Sequence, residues 1–124
     1  MQTSLPTDLL ETPLGREADE ILRNCVHCGF CNATCPTYQL TGDELDGPRG
    51  RIYQIKQVLE GSAATVTTQL HLDRCLTCRA CETTCPSGVD YHRLLDTGRV
   101  VVVQEVPRPL IERTKRRLLR VCLP

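Results

Sequence analysis

Four cysteines fall within eleven residues in CVHCGFCNATCP, residues 25–36. Cys25, Cys28 and Cys31 are evenly spaced, while Cys35 comes one residue late and stands directly before Pro36. The stretch returns as CLTCRACETTCP at 75–86, so Cys75, Cys78, Cys81, Cys85 and Pro86 each follow their first copy by fifty residues. Leu22 and Leu72, and Thr34 and Thr84, keep the same offset. The repeat implies two similar sites in a pseudo-two-fold relation.

A C-x2-C-x2-C run winds the backbone around one corner of a cubane and supplies three of the four thiolates that a four-iron cluster needs. So tight a loop cannot reach the far iron, and the fourth thiolate must come from elsewhere. Where the run ends C-x3-C-P, the fourth cysteine serves the neighbouring cluster. Proline fixes its own φ and biases the residue before it away from the helical region, which turns the chain off at Cys35. The spacing predicts one [4Fe-4S] cluster on Cys25, Cys28, Cys31 and Cys85. A second is predicted on Cys75, Cys78, Cys81 and Cys35. Gly29 is the expected point of closest backbone approach. Zinc takes paired C-x2-C knuckles, but it leaves the third cysteine and the Cys-Pro step unexplained in both copies. A disulfide framework fits less well still.

Other residues receive plainer readings. Cys122 is expected as a small apolar side chain on the last helix. His27, His71 and His92 are expected at the surface or behind the ligands rather than on metal. Arg49 and Arg51 are expected to pair with the acidic loop of Asp43, Glu44 and Asp46, because no P-loop pattern surrounds them. The chain shows no flavin site, nucleotide fingerprint or acid/base constellation. It is expected to move electrons rather than break substrate bonds, and no catalytic residue is assigned.

The elements that must hold these sites read as helices. The chain has 124 residues with one Phe, three Tyr and no Trp, thin material for an ordinary core. Crossed ligands would staple the repeats and compensate. Residues 1–14, with two prolines, read as a loose arm; 15–106 as the two-cluster domain; and 107–124 as a basic C-terminal helix. GREADEILRN and RIYQIKQVLE carry helical spacing, with Gly61 placed for a positive-φ helix end. TVTTQLHLDR leads into the second motif. DYHRLLDTGRVVVVQE puts Tyr91, Leu94, Leu95, Val101 and Val102 on one face, although Val100–Val103 also suits a strand. DELDGPRG reads as a loop. The predicted fold class is all-α, a helical ferredoxin-type domain wrapped around two [4Fe-4S] clusters.

Net charge is zero, but residues 1–46 carry eight acidic and two basic side chains and residues 47–124 carry seven and thirteen. A basic face for a partner is implied. With no start-proximal apolar run and no stretch of membrane-spanning length, a reducing, cytoplasmic setting is expected. Nucleic acid is not an expected partner, since the one basic segment, 113–120, has no helix-turn-helix around it.

Laid out this way, the chain resembles the iron–sulfur subunit of bacterial glycolate oxidase (glycolate dehydrogenase). The resemblance runs from residue 20 to about 120, and GDELDGPRGRIY and TCPSGVDYH carry most of its specificity. It implies flavin-binding partner subunits that hold FAD and oxidise glycolate to glyoxylate. It also implies onward transfer to an acceptor such as quinone, with at most peripheral membrane contact. The family continues with two cysteine-rich Cys-Cys-Gly repeats that this sequence does not contain, so an amino-terminal portion, a split gene or a truncated product is expected. The alternative is the iron–sulfur subunit of another flavoenzyme: anaerobic glycerol-3-phosphate dehydrogenase, D-lactate utilisation or a heterodisulfide-reductase-like complex. PLIERTKRRLLRVCLP carries five positive charges against Glu112 alone, with Leu110, Ile111, Leu118 and Leu119 two turns apart. Its apolar stripe either packs on the cluster domain or forms a docking surface.

Overall fold

Side-chain caps and prolines mark where the helices begin. Thr12 accepts from Gly15 N ahead of Pro13, which opens the helix Pro13–Asn24. Pro36 and Pro48 occupy the first turns of Pro36–Thr41 and Pro48–Leu59. Thr65 and Thr68 form a reciprocal capping box at Val66–Asp73. The computed structural model describes residues 1–123. Its helices, in order, are α1 (Thr7–Leu10), α2 (Pro13–Asn24), α3 (Pro36–Thr41), α4 (Pro48–Leu59), α5 (Val66–Asp73), α6 (Ala80–Thr84), α7 (Tyr91–Glu105) and α8 (Leu110–Cys122). Short 3₁₀ turns occupy Phe30–Thr34 and Glu44–Asp46. The described residues are all-α, with no strand among them.

The core forms where α4 and α7 cross and α2 and α5 close over them. Ala18 and Leu22 of α2, Ile52 and Ile55 of α4, Leu72 of α5, and Leu94, Leu95 and Val102 of α7 are all buried. The crossing is tight at Gly98, where an added Cβ would lie 2.5 Å from Ile55 Cγ1. The valine run is helical. Val102 is buried and Val101 partly so, while Val100 and Val103 face outward, the burial period of a helix. The α4 helix ends as expected, with Gly61 at φ 99° and Ser62 N donating back to Gln57 O.

Four readings are corrected. Residues 1–14 are not loose: α1 forms there, Thr3 and Leu5 are buried, and the N-terminal ammonium donates to the carbonyls of Leu22, Arg23 and Cys25. Local periodicity gives no sign of this, because the hydrogen-bond partners of Met1 and Thr3 lie 16 to 24 residues away. The loop read at 43–50 is half helix, since Pro48 already begins α4. The stripe of α8 does not pack on the cluster domain. Leu110, Ile111, Leu118 and Leu119 are exposed, and Arg116 to Asp73 at 3.1 Å ties the helix back. Cys122 is exposed as well, not a buried filler. Pro124 lies outside the described residues.

Candidate metal centres

Both cysteine motifs leave a helix end and take the same path. Cys25 caps the C-terminus of α2, and Cys75 follows α5. Positive φ recurs at His27 (59°) and Thr77 (54°), and at Gly29 (88°) and Arg79 (61°), each pair fifty residues apart. These left-handed residues wind each loop tightly around its three cysteines. The positive φ is what calls for glycine at 29; a Cβ there would lie 2.6 Å from Arg49 Nη1, the far end of a flexible side chain that can shift. The near neighbour is thus an arginine side chain. The turn Phe30–Thr34 and its counterpart α6 carry the chain to Cys35 (φ −84°, ψ 114°) and Cys85 (φ −75°, ψ 114°). Both are extended, the conformation that a following proline favours. The repeats touch at equivalent positions, where Thr84 Oγ1 donates to Thr34 Oγ1 at 3.3 Å.

Two cavities open between the loops. The first is lined by Cys25, Cys28 and Cys31, with Cys81 and Cys85 arriving from the second repeat. The second is lined by Cys75, Cys78 and Cys81, with Cys35 arriving from the first repeat. Pro48, Cys81 and Tyr91 line both, so a single layer of side chains separates them. All nine cysteines are free. Burial pushes the Cys25 thiol up, and burial with neighbouring thiols pushes Cys31 to about 11 and Cys81 to about 12. Such thiols are protonated at neutral pH until a metal displaces the proton, which suits ligands better than nucleophiles. Tyr91 is buried, and its hydroxyl lies 3.6 Å from Cys75 Sγ. Five thiols line the first cavity, beside Val26, Ile52 and Val89, and four line the second, with Cys81 common to both. The two sets supply enough thiolates for a pair of four-iron clusters.

Charged side chains brace the cavities from behind. Glu44 joins Arg49 Nε at 2.5 Å and Asn32 Nδ2 at 3.0 Å. Asp46, fully buried, accepts from His71 Nδ1 at 2.8 Å and Arg74 Nη1 at 2.9 Å. Arg51, also fully buried, lies 3.6 Å from Asp46. The arginines therefore pair with Glu44 and Asp46, while the carboxylate of Asp43 caps Leu45 N instead. His71 braces Asp46. His92 meets Glu82 and Asp90, and the His27 ring packs on Tyr53. Complete burial of Arg51 was missed at the level of sequence, yet a signal exists. Arg51, Ile55 and Leu59 follow at helical intervals and share one buried face.

This fold and these paired thiol cavities define an all-α, two-cluster iron–sulfur module. Residues 21–89 match the 4Fe-4S dicluster domain, and the chain belongs to that family. Over its whole length it is 68% identical to the glycolate oxidase iron-sulfur subunit of Escherichia coli, covering 30% of that protein. It is 44% identical over 98 residues to the probable glycolate oxidase iron-sulfur subunit of Bacillus subtilis, 77% of this chain and 22% of that one. It is 33% identical over 87 residues to one of the subunits of the ferredoxin:CoB-CoM heterodisulfide reductase from Methanosarcina mazei, 69% of this chain and 50% of that one. The chain thus spans less than a third of the length of the two glycolate oxidase relatives. No solved structure gives a significant match.

Proposed function

We propose that this chain is the electron-relay portion of a glycolate-oxidising complex. Cys25, Cys28, Cys31 and Cys85 would hold one [4Fe-4S] cluster and Cys75, Cys78, Cys81 and Cys35 the other. The observation that carries the reading is the pair of thiol-lined cavities, each with three cysteines of one repeat and the last cysteine of the other, sharing the wall of Pro48, Cys81 and Tyr91. The names of its relatives in Escherichia coli and Bacillus subtilis support the substrate. A bound four-iron cluster supplies one-electron storage and release without making or breaking substrate bonds.

The residues of this chain set the conditions for that transfer. The buried cysteines keep the donor set rigid, the apolar walls limit water, and Tyr91 places a buried ring between the two sites. Cys28 and Cys78, equivalent in the repeat, are the exposed members of their sets. Apolar Val26 and Phe30 stand exposed beside the first and Leu76 beside the second. These two faces suit entry of electrons from a flavin-binding partner and exit toward an acceptor such as quinone. Glycolate would lose two electrons and two protons at the FAD of that partner, and the electrons would cross this chain one at a time. We place the chain in the cytoplasm, with at most peripheral contact at the inner membrane face. No described helix is long and apolar enough to cross a membrane.

The test is anaerobic mixing of the cluster-loaded chain with the flavin subunits and glycolate. Bleaching of the cluster absorption that requires all three components supports the proposal. Bleaching by glycerol 3-phosphate or D-lactate with their flavoproteins, and none with glycolate, would assign the chain to another flavoenzyme.

A further inference from the structure

Arg51 lies in the first turn of α4 with none of its side chain exposed, and it walls the cavity of Cys35, Cys75, Cys78 and Cys81. Its donors are unevenly met. Nε donates to His71 O at 2.7 Å, and Nη1 donates to Thr37 Oγ1 at 3.2 Å. Nη2 is completely enclosed and has no hydrogen-bond partner among the described residues. The nearest carboxylate oxygen, Asp46 Oδ1, is 3.6 Å away, beyond hydrogen-bond reach. That carboxylate already accepts from His71 and Arg74. A buried guanidinium N–H left without an acceptor is costly, and native proteins rarely keep one. The wall it belongs to is the one that faces four thiols.

We propose that Arg51 Nη2 donates a hydrogen bond to a sulfur of the cluster in this second cavity and makes that cluster easier to reduce than its neighbour. The inference rests on the reading that the cavity holds a cluster. A cation in a poorly polarisable wall stabilises the more negative, reduced state, and hydrogen bonds to the sulfurs help set a cluster potential. Among the described residues the first cavity has no equivalent. Arg49 there is 35% exposed, with Nε engaged by Glu44. The N-terminal ammonium near Cys25 is engaged by three carbonyls. Fifty residues beyond Arg51 the chain has Val101. Arg51 thus breaks the symmetry of two otherwise similar thiol sets and gives an electron a preferred side.

The test is a redox titration followed by electron paramagnetic resonance on the full chain carrying both clusters, beside Arg51→Gln and Arg51→Lys. Iron analysis comes first. About four irons per wild-type chain instead of about eight would count against the two-cluster reading, before any potential is read. With both clusters present, Arg51→Gln should move one midpoint negative by about 59 mV or more, a tenfold change in a one-electron equilibrium. The other midpoint should stay in place. Arg51→Lys, which keeps the charge without the fork, should fall between. Two unchanged midpoints, or equal shifts in both, would overturn the proposal. Should Arg51→Gln fail to assemble, Arg49→Lys/Arg79→Lys protein labelled with ¹⁵N at the arginine guanidinium decides, since Arg79 also lines this cavity. A reduced cluster coupled to an arginine nitrogen supports the proposal, and the absence of any such coupling overturns it.

Discussion

Asp46 is the side chain on which most depends outside the thiols. It is buried against Arg51, His71 and Arg74, so removing its carboxylate leaves cations behind it without a counter-charge. Asp46→Ala should cost about 3–5 kcal/mol, the usual penalty for breaking a buried ionic set, read as a loss in urea unfolding of the cluster-loaded chain. A loss under about 1 kcal/mol would show the set to be ornamental. Acid should act on the same groups. Burial raises Asp46, but the hydrogen bonds of His71 and Arg74 prevail and hold it below its ordinary value. Arg49 holds Glu44 down, and burial of Asp19 is outweighed by Thr3 and Arg23. A carboxyl depressed in the folded state stabilises fully above its unfolded pKa of about 4, and that contribution is lost as pH falls through the folded value. Melting followed by helical circular dichroism should be level from about pH 7 to 5 and fall below about 4. A higher melting point at pH 4 than at pH 7 would contradict this. The gathering of the cysteines at two cavities was legible in the sequence because each motif is specified by local spacing. Asp46 was legible only as a charged partner of Arg51, because its burial depends on α5 closing over it; the burial of Arg51 is signalled only by its helical interval with Ile55 and Leu59.

Among the helices, the α4–α7 crossing fixes where Pro48 and Tyr91 stand between the cavities. Gly98 makes that approach close enough, and Gly98→Val would drive methyls into Ile55. Overpacking of this kind costs about 1–3 kcal/mol, and the thermal midpoint should drop accordingly. An unchanged midpoint would mean that the helices separate freely. The α8 helix behaves oppositely. Its residues are exposed, and its tie to the rest is Arg116 to Asp73, itself half-exposed. Deleting residues 110–124 should leave iron content unchanged and cost less than about 1 kcal/mol. Loss of iron on truncation would give α8 a structural role that its exposure does not suggest. Helical spacing revealed α2, α4 and α7, whose apolar residues meet the core; α5, which buries Gln69 and His71 beside Leu72, was read as a helix without such a stripe. Spacing left the valine run open because four β-branched residues suit either state, and burial on α7 decided it. It missed the packed amino-terminal segment, whose partners are remote in sequence.

Taken together, these elements enclose a small apolar core in which cysteines are themselves core residues. Cys25, Cys35 and Cys81 are buried with the leucines and isoleucines. Crossed thiolates would tie the first repeat to the second through two inorganic staples. Metal binding and folding should therefore be one event, and chelation of iron should unfold most of the chain. A cooperative melt in metal-free protein would contradict that. The crossing itself is tested most directly by counting irons in two double variants. If Cys28 and Cys85 serve one cluster, Cys28→Ala/Cys85→Ala should retain about four irons and one cubane signal. Cys28→Ala/Cys35→Ala, striking both clusters, should retain almost none. The reverse pattern, with the Cys28/Cys85 variant empty and the Cys28/Cys35 variant half-loaded, would show that each motif binds its own cluster.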